Sequence, residues 1–104
     1  DGLIYTAGQI GLTEESKLVD GGIEAEIHQV MNNLKKILEV AEADLGHVLK
    51  ATIYVTNIAD FTLVNKVYRS YFRDGEYPAR ETVGVVALPL GANVEISVVA
   101  VRPS

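Results

Sequence analysis

The sequence has no cysteine among its 104 residues. This absence excludes disulfide bonds, thiolate nucleophiles and cysteine-ligated metal sites. No apolar run reaches the 18 residues typical of a membrane-spanning helix, so no membrane partner is expected. The chain also opens without a basic segment followed by an apolar one, so no signal peptide is predicted and a cytoplasmic location is expected.

Basic residues are few and scattered. Nine lysines and arginines stand against 14 aspartates and glutamates, which gives a formal net charge of −5. Only Lys35 and Lys36 are adjacent, so no basic stripe is available for a phosphate backbone and no nucleic-acid partner is expected. The segment Gly8-Gln9-Ile10-Gly11 matches the GXXG loop of KH domains in letters. It follows a predicted strand instead of joining two helices, which favours a simple turn.

The two histidines, His28 and His47, do not form a metal-ligand pattern. His28 lies beside the apolar face of a predicted helix, and His47 lies in a predicted loop. With no carboxylate at helical ligand spacing to join them, structural or surface roles are favoured, and neither a metal nor another cofactor is predicted.

Apolar residues are abundant for a chain of this length. The length fits one domain, residues 1–104. Hydrophobic residues make up 48% of the chain, and the mean hydropathy is +0.18. Because so small a domain buries a limited share of its surface, part of this apolar content is expected to be covered by a partner.

Hydrophobic periodicity predicts an α/β (α+β) domain in the order β-α-β-α-β-β. Apolar residues recur every three or four positions in two segments, as in amphipathic helices, and alternate or run continuously in four others, as in strands. Asp60 is expected to cap the second helix. The two helices are expected to cover one face of the sheet. The predicted strands are 3–9, 49–56, 81–88 and 93–101, and the predicted helices run from Ile23 to about Ala43 and from Asp60 to Asp74.

The last two predicted strands carry apolar residues on both faces. Residues 83–88 are apolar throughout, and residues 94–101 have apolar members in both alternating sets. Two helices cover only one face, so the second face is expected to pack against the sheet of an identical subunit. The two sets of the last strand are Val94, Ile96, Val98 and Ala100 on one face and Glu95, Ser97, Val99 and Val101 on the other.

Arg80 is the charged residue of greatest interest. It follows Pro78 at the mouth of an apolar strand, where an unpaired guanidinium is costly. Its planar fork can hold a ligand carboxylate through two parallel hydrogen bonds. An ion pair with a protein acid, for which Glu76, Glu81 and Glu95 are candidates, is an equally good interpretation on residue type alone.

Two further polar residues lie in apolar segments. Glu95 stands between apolar residues of the last strand, where a carboxylate is either solvated or held as a general acid or base. Asn65 falls on the apolar side of the second helix, where its amide needs hydrogen bonds either to a loop or to a ligand.

These segments together resemble the Rid (YjgF) family, whose members are also described as L-PSP endoribonucleases or translation initiation inhibitors. The family patterns are (V/I)-x-x-S-G-Q-I, N-L-x-x-(I/V)-L, D-F-x-x-V-N-x-x-Y and P-A-R-S…L-P…V-E-I. Each match is short, but together they occur in order along essentially the whole chain. The matching residues are Ile4 to Gly11, Asn33-Leu34 with Ile37-Leu38, Phe61 with Val64-Asn65 and Tyr68, Pro78-Ala79-Arg80, Leu88-Pro89 and Val94-Glu95-Ile96.

The resemblance implies a chorismate-mutase-like fold and a homotrimer with its active sites between subunits. It implies a 2-iminobutanoate/2-iminopropanoate deaminase, which hydrolyses 2-imino and enamino acids such as 2-aminoacrylate to 2-keto acids and ammonia without a cofactor. Arg80 would hold the substrate carboxylate, and Glu95 would position or activate the water. The implied substrate-binding residues are Gly8, Asn65, Arg80 and Thr82.

Several positions depart from the family pattern and bear on substrate preference. Ala7 stands where the family has a serine before Gly-Gln, and Glu81 stands where a serine usually follows the arginine. Thr82 occupies a position where some members carry cysteine. The family's N-terminal strand, with its pocket tyrosine, has no counterpart before Asp1.

Two alternative functions stay open on the sequence. One is an endoribonuclease or translation inhibitor, against which the net negative charge and the lack of a histidine pair both argue. The other is a non-enzymatic oligomer that binds carboxylate metabolites.

A simple hairpin of the last two strands predicts how Arg80 and Glu95 are related. Its register pairs Leu88 with Val94. Glu95 then lies opposite Ala87, and Arg80 lies about 23 Å further along at about 3.3 Å per residue. Parity places Arg80 and Glu95 on opposite faces of the sheet, so a neighbouring subunit is expected to supply the missing partner. A bulge or bend in the strand is the alternative.

Overall fold

The computed structural model describes residues 2–103, which adopt an α+β fold with a four-stranded sheet and two helices. The predicted order of elements, β-α-β-α-β-β, is confirmed. The strands are β1 (Leu3–Tyr5), β2 (Val48–Val55), β3 (Ala79–Gly84) and β4 (Val94–Val101), and the helices are α1 (Gly22–Val40) and α2 (Phe61–Arg69).

The sheet has the strand order β1-β4-β2-β3. Strand β4 pairs antiparallel with β1 and with β2, whereas β3 pairs parallel with β2. The predicted hairpin of β3 with β4 is therefore wrong, because Leu88 does not pair with Val94. Glu95 lies opposite Tyr54 and not opposite Ala87.

The chain between β3 and β4 turns back without forming a hairpin, because β2 lies between these two strands. Strand β3 ends at Gly84, before the predicted end at residue 88. A 3-10 turn at Pro89–Gly91 then reverses the chain, with Leu90 and Gly91 at φ angles of 57° and 72°. The connection of residues 85–93 thus carries the chain past β2, and β4 pairs with the other edge of β2.

The core lies between the helices and one face of the sheet. Helix α1 buries a stripe of residues spaced by three and four, and β4 buries every second residue, as predicted. Each aliphatic side chain removed from water in this way contributes about 2 kcal/mol. The buried positions of these two elements include Ile27, Val30, Met31, Leu34 and Leu38 in α1 and Val94, Ile96, Val98 and Ala100 in β4.

The helices leave the other face of the sheet uncovered. Leu3 and Tyr5 are 55% and 72% exposed there, and Tyr5 pairs with Val99 across the strands. Residues paired across strands share a face, so Tyr54 and Glu95 lie on one face as well. We call this surface, formed by Leu3, Tyr5, Tyr54, Glu95 and Val99, the open face.

Glu26 joins α1 to the start of β4. Its side chain is 2% exposed, and its two carboxylate oxygens accept hydrogen bonds from the backbone N–H of Asn93 (2.8 Å) and from the Asn93 side-chain amide. Gly11 packs closely on the same residue, because a Cβ at Gly11 would lie 3.1 Å from the Glu26 Cα. A buried carboxylate satisfied in this way holds three segments together.

The start of α2 differs from the prediction, because Asp60 makes no side-chain capping hydrogen bond. Its φ and ψ of −80° and 0° are helical, whereas a capping residue has an extended backbone. The capping hydrogen bond comes earlier, where the Asn57 side chain accepts from the Ala59 N–H at 3.1 Å. Among residues 2–103, neither helix is long and apolar enough to cross a membrane.

Candidate functional site

Strand β3 and helix α2 border an open cavity of about 250 Å³ beside Arg80. Arg80 pairs with Ala51 of β2, which is fully buried beneath the helices. Because paired residues share a face, Arg80 lies on the helix-covered side of the sheet. We call this space the Arg80 cavity; its lining residues are Asn65, Tyr68, Arg69, Tyr77, Pro78 and Arg80.

The positive charge of Arg80 forms no ion pair with any acid among residues 2–103. Its guanidinium carbon lies 5.4 Å from the centroid of the Phe61 ring, within the range of a cation–π contact. Glu81, one of the acids that could have neutralised it, pairs instead with Lys50 at 2.7 Å. The cation is therefore available to a ligand carboxylate.

Several buried polar atoms near Arg80 in the sequence or in the cavity lining lack a hydrogen-bond partner. Within residues 2–103, Asn65 Oδ1 and the Tyr68 hydroxyl are buried and make no hydrogen bond. The hydroxyl of Thr82, two residues beyond Arg80 on the same side of β3, is also buried and unpaired. Burial raises the pKa of Tyr68 to about 12, against the lowering effect of the Arg80 charge. The Tyr68 hydroxyl is thus neutral at physiological pH.

Glu95 lies on the open face beside Gly8. The N–H of Gln9 donates to the Ile96 carbonyl (2.8 Å), and the Ile96 N–H donates to the Gln9 carbonyl (3.0 Å). This pairing holds Gly8 against the Glu95 side chain so closely that a Cβ at Gly8 would lie 2.7 Å from the carboxyl carbon. Only a residue without a side chain leaves the carboxylate where it is.

Arg80 and Glu95 lie on opposite faces of one sheet. Arg80 is aligned with Ala51, and Glu95 with Tyr54, on the two sides of β2. Two strand spacings of about 4.8 Å and three residues of about 3.3 Å separate their Cα atoms by about 14 Å. The opposite faces agree with the prediction, but the cause is the pairing through β2 and not a hairpin. One chain therefore brings Gly8 and Glu95 together, and separately Asn65 and Arg80, whereas Thr82 is not among the residues that line the Arg80 cavity.

Tyr68 and Phe61 are residues of the cavity region that sequence reasoning did not assign to the site. Tyr68 matches the family motif but is given no site role by the sequence, and its side chain is 1% exposed. The usable signal was its spacing of three from Asn65, which places both on one side of α2.

The histidines lie away from the Arg80 cavity. His28 Nδ1 contacts the Tyr71 hydroxyl, and His47 Nδ1 accepts from the Asp44 N–H at 3.1 Å. Among residues 2–103, no group of three or more histidines and acids is arranged to hold a metal ion.

Comparison with known proteins agrees with the fold and the ordered motifs. The sequence matches the family described as Endoribonuclease L-PSP over residues 1–102. A rat 2-iminobutanoate/2-iminopropanoate deaminase is 43% identical over 103 residues, which cover 98% of this chain and 74% of the relative; the human protein of that name is 41% identical, with the same coverage. The crystal structure of RidA from an Antarctic Psychrobacter aligns with a TM-score of 0.89 and 36% identity, covering 94% of this chain and 79% of the other. The chain belongs to the Rid/YjgF family.

Proposed function

We propose that this protein hydrolyses 2-imino acids and their enamine tautomers, such as 2-aminoacrylate, to 2-keto acids and ammonia without a cofactor. The observation that carries the proposal is Arg80, a cation without an acidic partner among residues 2–103, at the wall of a cavity of small-molecule size. The names of the rat and human relatives support the same substrate class.

The proposed chemistry needs orientation more than activation, because an imine carbon is already electrophilic. Arg80 holds the substrate carboxylate through two parallel hydrogen bonds. Glu95 takes a proton from a water molecule as the water oxygen bonds to the carbon of the protonated imine, which gives a tetrahedral adduct with one hydroxyl and one amino group. Glu95 returns that proton to the amino nitrogen, and the C–N bond breaks with its electron pair leaving on ammonia. The hydroxyl oxygen forms the carbonyl of the 2-keto acid and releases its proton to Glu95, which passes it to the departing ammonia.

The site is proposed to form between subunits of a homotrimer. Arg80 and Glu95 of one chain lie on opposite faces, so neither can complete the other's site in that chain. The exposed apolar side chains of the open face give a second copy a surface to cover. Contact of the open face with a neighbour's Arg80 cavity would bring the two halves together.

The direct test is a coupled assay in which threonine or serine dehydratase generates the imino acid. The protein should accelerate release of the 2-keto acid beyond the spontaneous rate, and Arg80→Ala should remove this acceleration. If the 2-keto acid binds but its release is not accelerated, the protein is a carboxylate-binding oligomer and not a deaminase.

The family description favours an endoribonuclease as the second candidate. The net charge of −5 argues against a phosphate-backbone partner. His28 and His47, the usual kind of acid–base residue, contact Tyr71 and Asp44 and do not line the Arg80 cavity. Cleavage of RNA by the purified protein, with loss in Arg80→Ala, would make this the better assignment.

A further inference from the structure

The Tyr68 hydroxyl has no hydrogen-bond partner within residues 2–103. The side chain is 1% exposed, and the hydroxyl makes no hydrogen bond there. Buried polar atoms in native proteins are nearly always paired, and an unpaired one costs about 1 to 3 kcal/mol. A phenylalanine would fill the same core space without that cost. The hydroxyl therefore calls for a functional explanation.

The location of Tyr68 supplies that explanation. It shares the wall of the Arg80 cavity with Asn65, and the charge of Arg80 is close enough to act on its ionisation. Among residues 2–103, no acid lines the Arg80 cavity: Asn65 and Tyr68 contribute neutral polar atoms, and Arg69, the other cation of the lining, lies over the Tyr77 ring at 4.3 Å. Neutral acceptors can orient a guanidinium without neutralising it, which leaves its charge for the ligand.

The donor and acceptor groups of Arg80, Tyr68 and Asn65 allow a hydrogen-bond chain in only one direction. Arginine solely donates, a carboxamide oxygen solely accepts, and a protonated tyrosine hydroxyl can do both. Burial keeps Tyr68 protonated, since its pKa is about 12. Asn65 and Tyr68 are spaced by three along α2 and lie on one side of it.

We propose that Tyr68 is a positioning residue for Arg80: its hydroxyl accepts an N–H of the guanidinium and donates to Asn65 Oδ1 when a carboxylate occupies the cavity. The opposite edge of the guanidinium then faces the carboxylate. The hydroxyl is itself buried, so it acts through Arg80 and not on the ligand. This inference rests on the proposed role of Arg80 in binding the substrate carboxylate.

The test is a double-mutant cycle in the full chain. NMR titration with 2-oxobutanoate measures the affinity of each variant. Tyr68→Phe removes only the hydroxyl and should weaken binding about tenfold. In the Arg80→Lys background the same change should have less than about a twofold effect, because the group it positions is gone. Tyr71→Phe, which removes the hydroxyl that contacts His28 outside the cavity, is the matched control and should bind as the wild type does.

Thermal unfolding separates positioning from a structural role. Loss of an unpaired buried hydroxyl should leave the midpoint of Tyr68→Phe unchanged or raised. Unchanged affinity, an equal loss in both backgrounds, or a lowered midpoint would each overturn the inference. If Arg80→Lys itself binds 2-oxobutanoate normally, the proposed clamp fails, and Tyr68 has no Arg80 function to support. If the variants lose 2-oxobutanoate affinity as expected but the protein does not hydrolyse imines, the positioning role of Tyr68 is supported and only the proposed reaction is contradicted.

Discussion

Arg80 occupies a position where no acid among residues 2–103 neutralises its charge. The residue lies at the start of β3, against the Phe61 ring, and no acid among residues 2–103 pairs with it. The sequence identified the residue and its two possible partners, a ligand or a protein acid. The spatial arrangement rules out the neighbouring acid Glu81, which lies on the other face of the sheet and pairs with Lys50.

The Arg80→Lys variant tests whether geometry or charge alone matters at this position. Lysine keeps the positive charge but cannot form two parallel hydrogen bonds. We expect kcat/KM for the imino acid to fall about ten- to a hundredfold, the effect of losing a hydrogen bond to a charged group. The coupled dehydratase assay measures this. A rate close to that of the wild type would mean that Arg80 only attracts the substrate.

Gly8→Ala tests the placement of the Glu95 carboxylate. The added methyl group would lie 2.7 Å from the carboxyl carbon, so the flexible end of Glu95 has to move. A displacement of about 1 Å at a reacting group costs about a hundredfold in rate, so kcat should fall by about that factor. Gly2→Ala is the matched control, because a Cβ there meets nothing within 4 Å.

Glu95→Gln shows whether Gly8→Ala acts only by displacing the Glu95 carboxylate. Both variants should turn over slowly, and Glu95→Gln should bind 2-oxobutanoate as the wild type does, since Arg80 carries the carboxylate contact. A loss of 2-oxobutanoate binding in Glu95→Gln would contradict the assignment of Glu95 to the water, whereas a loss in Gly8→Ala alone would assign Gly8 to ligand binding.

At the scale of elements, the Glu26–Asn93 contact decides how α1 and β4 are joined. Glu26→Ala removes the acceptor of the Asn93 backbone N–H, and we expect a loss of about 2 kcal/mol in the free energy of unfolding. Urea unfolding at equal protein concentration measures it. Glu39→Ala, an exposed change on the same helix, should stay within about 0.5 kcal/mol. Equal stability of the two variants would mean that the contact contributes nothing.

The elements also show which features local patterns predict. Helix α1 and strand β4 were placed to within a few residues, because burial on one face gives a clear spacing of three and four or of two. The apolar run 83–88 has no such alternation, and only its first part, through Gly84, belongs to β3. A continuous apolar run does not specify a strand partner, which is why parallel pairing with β2 was mistaken for a hairpin with β4.

At the scale of the whole molecule, the two halves of the proposed site require more than one chain. We expect mixtures of Arg80→Ala and Glu95→Ala subunits, each inactive alone, to recover activity after subunit exchange. With random exchange and one site between each pair of neighbours, about a quarter of the sites would contain both native residues. The coupled assay before and after exchange provides the measurement.

Two controls define the outcome of the mixing experiment. Sedimentation of the mixture should show an oligomer, since a monomer of 11.3 kDa could not share a site. Activity that stays absent in a demonstrably exchanged oligomer would mean that both residues act from one chain.

The sequence by itself determined the order of the elements, the buried faces of α1 and β4, and the family, because these depend on spacing and on ordered motifs along the chain. It also singled out Gly8, Asn65, Arg80, Thr82 and Glu95 as candidates. Only the tertiary structure decided that β2 separates β3 from β4 and that Tyr68 lines the same cavity as Arg80. Strand order and unpaired buried atoms depend on contacts between residues distant in sequence, which periodicity does not encode.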